Sequence, residues 1–191
     1  MGSRAHARAE GSGDTPGRGT PSIPLLIRIE KEQDRAAVHA VNAAAFPTSA
    51  EADLVDALRE RAQPIVSLVA EVAGVIVGHI LFSPVSLTGH PDLGIMGLAP
   101  MAVAPAHQGQ GIGEALVRAG LERCRELGYI AVVVLGHPGY YPRFGFAPAA
   151  RFGISSEYEV PDEAFMATEL QPAALRGKSG VIKYHAAFGS I

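Results

Sequence analysis

Hydrophobic positions along the chain switch between the spacing of amphipathic helices and the aliphatic runs typical of strands. The first half predicts, in order, a strand, two helices and three strands over residues 25–30, 34–46, 49–62, 65–72, 75–83 and 95–103. Ala73 and Gly74 lie between two aliphatic runs and predict a tight hairpin, and polar residues 88–92 predict a loop. Because proline cannot donate a ladder hydrogen bond, Pro100 predicts a bulge or a locally unpaired backbone in the last of these strands.

The second half begins with a strongly amphipathic helix that starts at Gly111 and ends at Gly128, a residue typical of left-handed caps. Its apolar face comprises Leu116, Val117, Gly120, Leu121, Cys124 and Leu127. The apolar run from Ile130 to Leu135 is typical of a central strand covered on both faces. Two weaker strands are predicted near residues 164–170 and 181–184, so the chain mixes helices and strands.

Residues 1–22 are rich in Gly, Arg, Ser, Ala and Pro and have few aliphatic side chains. Such a segment buries too little apolar surface to offset its ordering entropy, so we expect a disordered tail. The chain has 191 residues, 48% of them hydrophobic, which is enough for one sizeable core. A single domain is therefore predicted over residues 23–191.

The charge balance argues against several classes of partner. A net charge of -3, from 16 Lys and Arg against 19 Asp and Glu, does not fit nucleic-acid or membrane-surface binding, which needs clustered cations. No stretch approaches the ~20 apolar residues of a membrane span. Cys124 is the single cysteine, and the histidines lack ligand-like spacing, so we expect no metal site and a cytoplasmic location.

A glycine-rich segment from Gln108 to Gly113 opens the amphipathic helix. Its alternating glycines let backbone N–H groups converge at the positive end of the helix dipole, which suits an anion such as a phosphate. By themselves, such glycines more often serve only to allow a tight strand-to-helix turn with close packing. A Walker loop is excluded because Glu114 and Ala115 follow Gly113 instead of Lys and Ser or Thr. A dinucleotide fingerprint is excluded because it needs its third glycine one residue later than Gly113, and because no acidic residue follows at the distance of the ribose ligand.

Two motifs resemble those of the GNAT superfamily of acyl-CoA-dependent N-acyltransferases. Residues Met101 to Pro105 and then Gln108 to Gly113 match its strand followed by Gln-x-x-Gly-x-Gly. Residues Tyr140 to Phe146 match the aromatic element that those proteins carry after the next strand. The resemblance implies an α/β (α+β) fold with a mixed, mostly antiparallel central sheet that is splayed between its fourth and fifth strands, with helices on both faces.

The resemblance also implies acetyl-CoA as cosubstrate. The backbone of the glycine-rich segment would bind the coenzyme pyrophosphate, and the preceding strand would pair with the pantetheine arm and polarise the thioester carbonyl. The residues so implied are Met101, Ala102, Val103, Gln108, Gly109, Gln110, Gly111, Ile112 and Gly113.

Catalysis is expected to acetylate a primary amine of a small molecule or peptide. In the family, a tyrosine at the position of Tyr141 reprotonates the coenzyme thiolate. Because residues 98–103 contain no carboxylate, the general base is left open between His137, Glu51 and a water relay. The missing carboxylate also leaves a non-catalytic acyl-CoA-binding or sensing module as an alternative, and the loop alone would suit a nucleotide binder. Relatives often dimerise, so a homodimer is a further expectation.

Overall fold

The computed structural model describes residues 24–190, and the predicted disordered tail over residues 1–22 lies outside them. The strands are β1 (Leu25–Ile29), β2 (Val66–Val72), β3 (Val75–Leu87), β4 (His90–Val103), β5 (Ala131–Leu135), β6 (Ala147–Pro148), β7 (Ile154–Ser156), β8 (Phe165–Glu169) and β9 (Gly180–Lys183). The helices are α1 (Arg35–Ala45), α2 (Ala50–Arg61) and α3 (Ile112–Glu126). Short 3-10 turns complete the fold, among them Tyr141–Phe144 and Ala186–Ser190. In the part of the chain described, no helix combines the length and apolar character that crossing a membrane requires.

All the strands join one sheet in the order β1-β2-β3-β4-β5-β8-β6, with β9 paired to the end of β3 and β7 paired to β9. Neighbouring strands are antiparallel except for the pairs β4–β5 and β7–β9. The expected mixed and mostly antiparallel sheet is therefore confirmed.

The sheet splays between β4 and β5. These strands pair only from Ile95 opposite Ala131 to Leu98 opposite Val134, while β4 continues along β3 to Val103. Within that continuation the register with β3 shifts, because Ile80 faces Met101 but Phe82 faces Leu98. One extra residue is thus inserted in β4 beside Pro100, which confirms the predicted bulge.

Helices cover both faces of the sheet. The apolar face of α3 packs on one side, where Leu116, Val117 and Cys124 join a core that includes Phe82 and Val134. On the other side, α1 and α2 pack through two smaller clusters. Because successive side chains of a strand point to opposite faces, Ile80 lies under α3 whereas Leu81 lies under α2. The predicted layers are confirmed.

A buried polar contact joins α1 to the sheet. His79 is fully buried, with its Nδ1 3.0 Å from the Asn42 amide and its Nε2 2.8 Å from the Ser67 hydroxyl. Burial, and then the nearby Arg59 charge, lower the pKa of His79 to about 3. The neutral ring can therefore accept from Asn42 and donate to Ser67, which fixes the helix on the sheet.

The predicted loop over residues 88–92 is wrong in extent. Thr88 and Gly89 alone form the turn, and β4 already begins at His90. Gly89 has φ +78°, a conformation that closes such tight hairpins. Asp92 suggested a longer loop because it is polar, but it is an exposed residue at the outer end of a long strand. The short strands β6 and β7 were not predicted, because their residues show no strand pattern in the sequence.

Candidate functional site

A glycine-rich turn leads into α3. Gly109 (φ +74°) and Gly111 (φ +81°) have left-handed backbones, and a Cβ added to either would meet no atom within 4 Å. Within residues 24–190, the N–H groups of Gly109, Gln110 and Gly111 have no backbone acceptor, and the first turn of a helix has no intrahelical one. The turn therefore exposes free donors at the positive end of a helix dipole, which suits an anion.

The second half of β4 lies beside this turn. The Gln108 amide donates from Nε2 to the Val103 carbonyl oxygen at 3.0 Å, and a Cβ at Gly113 would lie 3.6 Å from Met101 Cε. Among the described residues, β4 has no strand partner on its β5 side after Leu98, although the Val103 carbonyl oxygen there accepts from Gln108. The structure brings together Met101, Ala102, Val103, Gln108, Gly109, Gln110, Gly111, Ile112 and Gly113. Ile112 contributes only its backbone, because its side chain is 4% exposed in the core.

Tyr141 starts the 3-10 turn that follows β5 and is 8% exposed. Its ring makes edge contacts with Tyr140 and Phe146, at centroid distances of 5.1 Å and 5.6 Å. Gly136 makes room for it, because a Cβ there would lie 2.4 Å from Tyr141 Cε2. Burial, and then the neighbouring Tyr140, raise the pKa of Tyr141 to about 12, so its hydroxyl is protonated at neutral pH.

A cavity of about 380 Å³ lies where β4 and β5 diverge. Its walls are formed by Leu98 and Ala99 of β4, Leu135 at the end of β5, Glu51 of α2, and Tyr158, Tyr184 and Phe188 from the C-terminal region. The Tyr184 ring lies 5.5 Å from the Tyr158 ring and 5.4 Å from the Phe188 ring, centroid to centroid. We call these three rings the aromatic wall.

Two oxygen atoms of the cavity-lining residues are buried without a hydrogen-bond partner, Glu51 Oε2 and Tyr184 Oη. Burial raises the pKa of Tyr184, as do Tyr158 and Glu157, so its hydroxyl stays a neutral donor and acceptor. A buried oxygen without a partner is costly. Both residues also line the cavity, so the cavity wall carries one carboxylate and one buried hydroxyl.

The candidate bases occupy different places. Glu51 lies in the cavity wall, whereas His137 is exposed in the turn after β5 and is not part of that wall. The His137 carbonyl oxygen accepts from the Tyr140 N–H at 3.1 Å. The cavity therefore favours Glu51, or a water molecule beside it, over His137.

The aromatic wall was missed from the sequence. Tyr184 reaches the cavity because β9 pairs with β3 at Ser86 and Leu87, and Phe188 follows in the terminal 3-10 turn. These are contacts between distant segments, and no local repeat connects the three rings. The available signal was the presence of Tyr158, Tyr184 and Phe188 in a region with weak strand patterns.

Across residues 24–190, no group of three or more His, Cys, Asp or Glu side chains could hold a metal ion. Cys124 lies on the buried face of α3, and burial raises the pKa of its thiol to about 12, as befits a core residue.

Known proteins share both the sequence and the fold. The model of the Acetyltransferase (GNAT) family matches residues 28–146, which include the glycine-rich turn and Tyr141. The uncharacterised N-acetyltransferase YhbS of Escherichia coli K12 is 39% identical over 165 residues, or 86% of this chain and 98% of YhbS. The uncharacterised N-acetyltransferase YjhQ of the same strain is 43% identical over 143 residues, or 73% of this chain and 79% of YjhQ.

Two similar proteins have crystal structures with coenzyme. E. coli YhbS in complex with CoA has a TM-score of 0.84 at 38% identity and covers 90% of this chain and 95% of its own. A GNAT family acetyltransferase from Brucella melitensis in complex with acetyl-CoA has a TM-score of 0.71 at 38% identity and covers 86% and 98%. The chain therefore belongs to the GNAT acetyltransferase family and is an acyltransferase, as the family model, these relatives and the splayed sheet all show.

Proposed function

We propose that this protein transfers the acetyl group of acetyl-CoA to a primary amine of a small molecule or peptide, with Tyr141 as general acid. The amine nitrogen bonds to the thioester carbonyl carbon, the carbon–sulfur bond breaks, and the coenzyme leaves as a thiolate that must gain a proton. The amine must lose a proton, since an amine with a pKa near that of lysine, ~10.4, is mostly charged at neutral pH.

Coenzyme binding rests on the glycine-rich turn and the free side of β4. The unpaired N–H groups from Gly109 to Gly113 suit the pyrophosphate, and the coenzyme-bound relatives from E. coli and B. melitensis support this role. Residues 99–103 have no strand partner on their β5 side, and backbone groups on that side suit the amides of the pantetheine arm. One of its N–H groups can also stabilise the negative charge that develops on the thioester oxygen.

Proton transfer is divided between two residues. Tyr141 suits the acid role because its raised pKa keeps it protonated, and it packs against Gly136, which directly follows the cavity residue Leu135. Glu51 suits the base role because it is the carboxylate that lines the cavity. The carboxylate that β4 lacks is thus replaced by one from α2.

One observation carries the proposal, namely that residues 98–103 of β4 connect two different surfaces. Leu98 and Ala99 line the cavity with the unpartnered carboxylate, and Met101 to Val103 lead into the anion-binding turn. An acetyl group held along this strand would lie between the coenzyme and an amine in the cavity. A binding module without turnover has no need of such a junction.

The test is thiol release from acetyl-CoA by the purified protein with a panel of amines and peptides. Release that depends on the amine, with the acetylated amine detected by mass spectrometry, is the expected result. Coenzyme binding without release across the panel would instead support the non-catalytic module. A melting temperature that rises with a nucleotide but not with coenzyme A would support a nucleotide binder.

The Tyr141 ring packs directly against Gly136. Gly136→Ala places a methyl group 2.4 Å from the present position of Tyr141 Cε2, so the ring must move. We expect turnover to fall on the order of 10-fold, because small displacements of catalytic groups are costly. Gly139→Ala is the matched control, since a Cβ there meets no atom within 4 Å. Equal rates in both variants would contradict the role given to the ring position.

A further inference from the structure

We infer that the acceptor is a small amine with an apolar body and no carboxylate next to the amino group, bound between Glu51 and the aromatic wall. This inference rests on the proposed acetyl transfer and narrows its acceptor. The relevant features are the charge, the lining and the size of the cavity between β4 and β5.

The charge of the cavity distinguishes amines from amino acids. Glu51 is the one charged residue in its wall, and no Lys, Arg or His of the described chain lines it. An ammonium group in the cavity would pair with the Glu51 carboxylate through a charge-assisted hydrogen bond. A carboxylate beside that ammonium would be brought into the cavity next to Glu51 with no cation to pair with it, which is strongly unfavourable.

The lining distinguishes apolar amines from polar ones. Leu98, Leu135 and the aromatic wall present mostly hydrocarbon to the cavity. Tyr184 Oη, buried and unpartnered, adds one hydrogen-bonding group close to the rings. Aromatic faces pack against aliphatic groups and also attract an ammonium ion. Highly hydroxylated or polycationic amines would find too few partners here.

The size of the cavity favours a small molecule. A volume of about 380 Å³ is near the lower end of the range for ligand pockets, roughly 300–1,000 Å³. Leu135 and Tyr158 are 46% and 38% exposed, so they form the mouth of the cavity. Ala99 lies in the segment of β4 that is free on its β5 side, so the nitrogen can approach the proposed thioester position there.

The test uses pairs of compounds that differ only by a carboxylate. These pairs are 3-methylbutylamine with L-leucine and 2-phenylethylamine with L-phenylalanine. We measure kcat/KM by thiol release, and Kd by calorimetry on protein saturated with coenzyme A. Each amine is expected to exceed its amino acid by roughly 100-fold or more in both quantities, because the unpaired carboxylate must lose its hydration.

Two variants test the named contacts. Glu51→Gln is expected to raise the Kd of both amines by roughly 10-fold or more, since it removes the charge that pairs with the ammonium group. Glu60→Gln is the matched control, because Glu60 is an exposed residue of the same helix. Tyr184→Phe keeps the ring and removes the hydroxyl, and it should weaken amine binding about 3-fold or more. Thermal unfolding confirms that each variant is folded.

Specific outcomes overturn the inference. Amino acids that match their amines, a lysine-containing peptide that outperforms both amines, or unchanged amine binding in folded Glu51→Gln protein would each do so. The proposed acetyl transfer can fail separately. Amine binding that depends on Glu51 but is never followed by thiol release would refute the transfer while supporting this class of ligand for the cavity.

Discussion

Gly111→Glu is expected to raise the Kd for coenzyme A by roughly 100-fold, equivalent to about 2.8 kcal/mol. Gly111 is the N-cap of α3, has φ +81°, and has open space where a side chain would begin. The new carboxylate would lie on the surface proposed to bind the pyrophosphate and would repel it. The side chain would also disfavour the left-handed backbone that presents the N–H groups.

Gly89→Glu separates these effects from general damage. Gly89 has φ +78° and no atom within 4 Å of an added Cβ, but it lies in the turn before β4, whereas α3 follows the other end of that strand. It therefore experiences the same backbone strain and the same added charge. Calorimetric titration with coenzyme A should give wild-type affinity for Gly89→Glu. Wild-type affinity in folded Gly111→Glu protein would remove the turn from the coenzyme site.

The fold and the glycine-rich turn could be predicted because their signals are local. The apolar face of α3 repeats within one helix, and the glycines at 109, 111 and 113 lie within one turn. Pro100 indicated a bulge because a missing N–H is a property of that residue alone. Such features can be recognised in the sequence without knowing which strands pair with each other.

The acceptor cavity could not be predicted in the same way. Its walls come from α2, β4, β5 and the C-terminal region, and they meet only because β9 pairs with β3. Glu51 could be named as a candidate from the sequence, but its unpartnered oxygen depends on what surrounds it. His137 is as plausible a base as Glu51 in the linear sequence, but only the folded structure shows that it lies outside the cavity wall.

Substitutions at the two ends of the proposed site should have different effects on binding and on the reaction rate. A change in the glycine-rich turn affects the affinity for the coenzyme, because the turn is proposed to contact the pyrophosphate far from the reacting carbon. A change at Tyr141 affects the departure of the thiolate, which occurs after both substrates are bound. Measuring Kd and single-turnover rate on the same proteins therefore assigns each residue to binding or to chemistry.

Tyr141→Phe is expected to lower the single-turnover rate of thiol release by roughly 100-fold, the lower end of the effect of a general acid. The Kd for coenzyme A should stay near the wild-type value, because the ring and its contacts with Tyr140 and Phe146 are kept. Tyr129→Phe is the matched control, since Tyr129 follows the opposite end of α3 and its ring lies beside Gly94.

The pH dependence of the wild-type rate gives an independent check on Tyr141. With a pKa of about 12, its hydroxyl stays protonated as the pH rises from 7 to 10, while a growing fraction of the amine becomes neutral. The rate should therefore increase over this interval with no alkaline decline caused by Tyr141. In Tyr141→Phe the remaining rate should follow the same increase at a lower level, because water must then protonate the thiolate. A variant that equals the wild type in single-turnover rate would exclude Tyr141 as the acid.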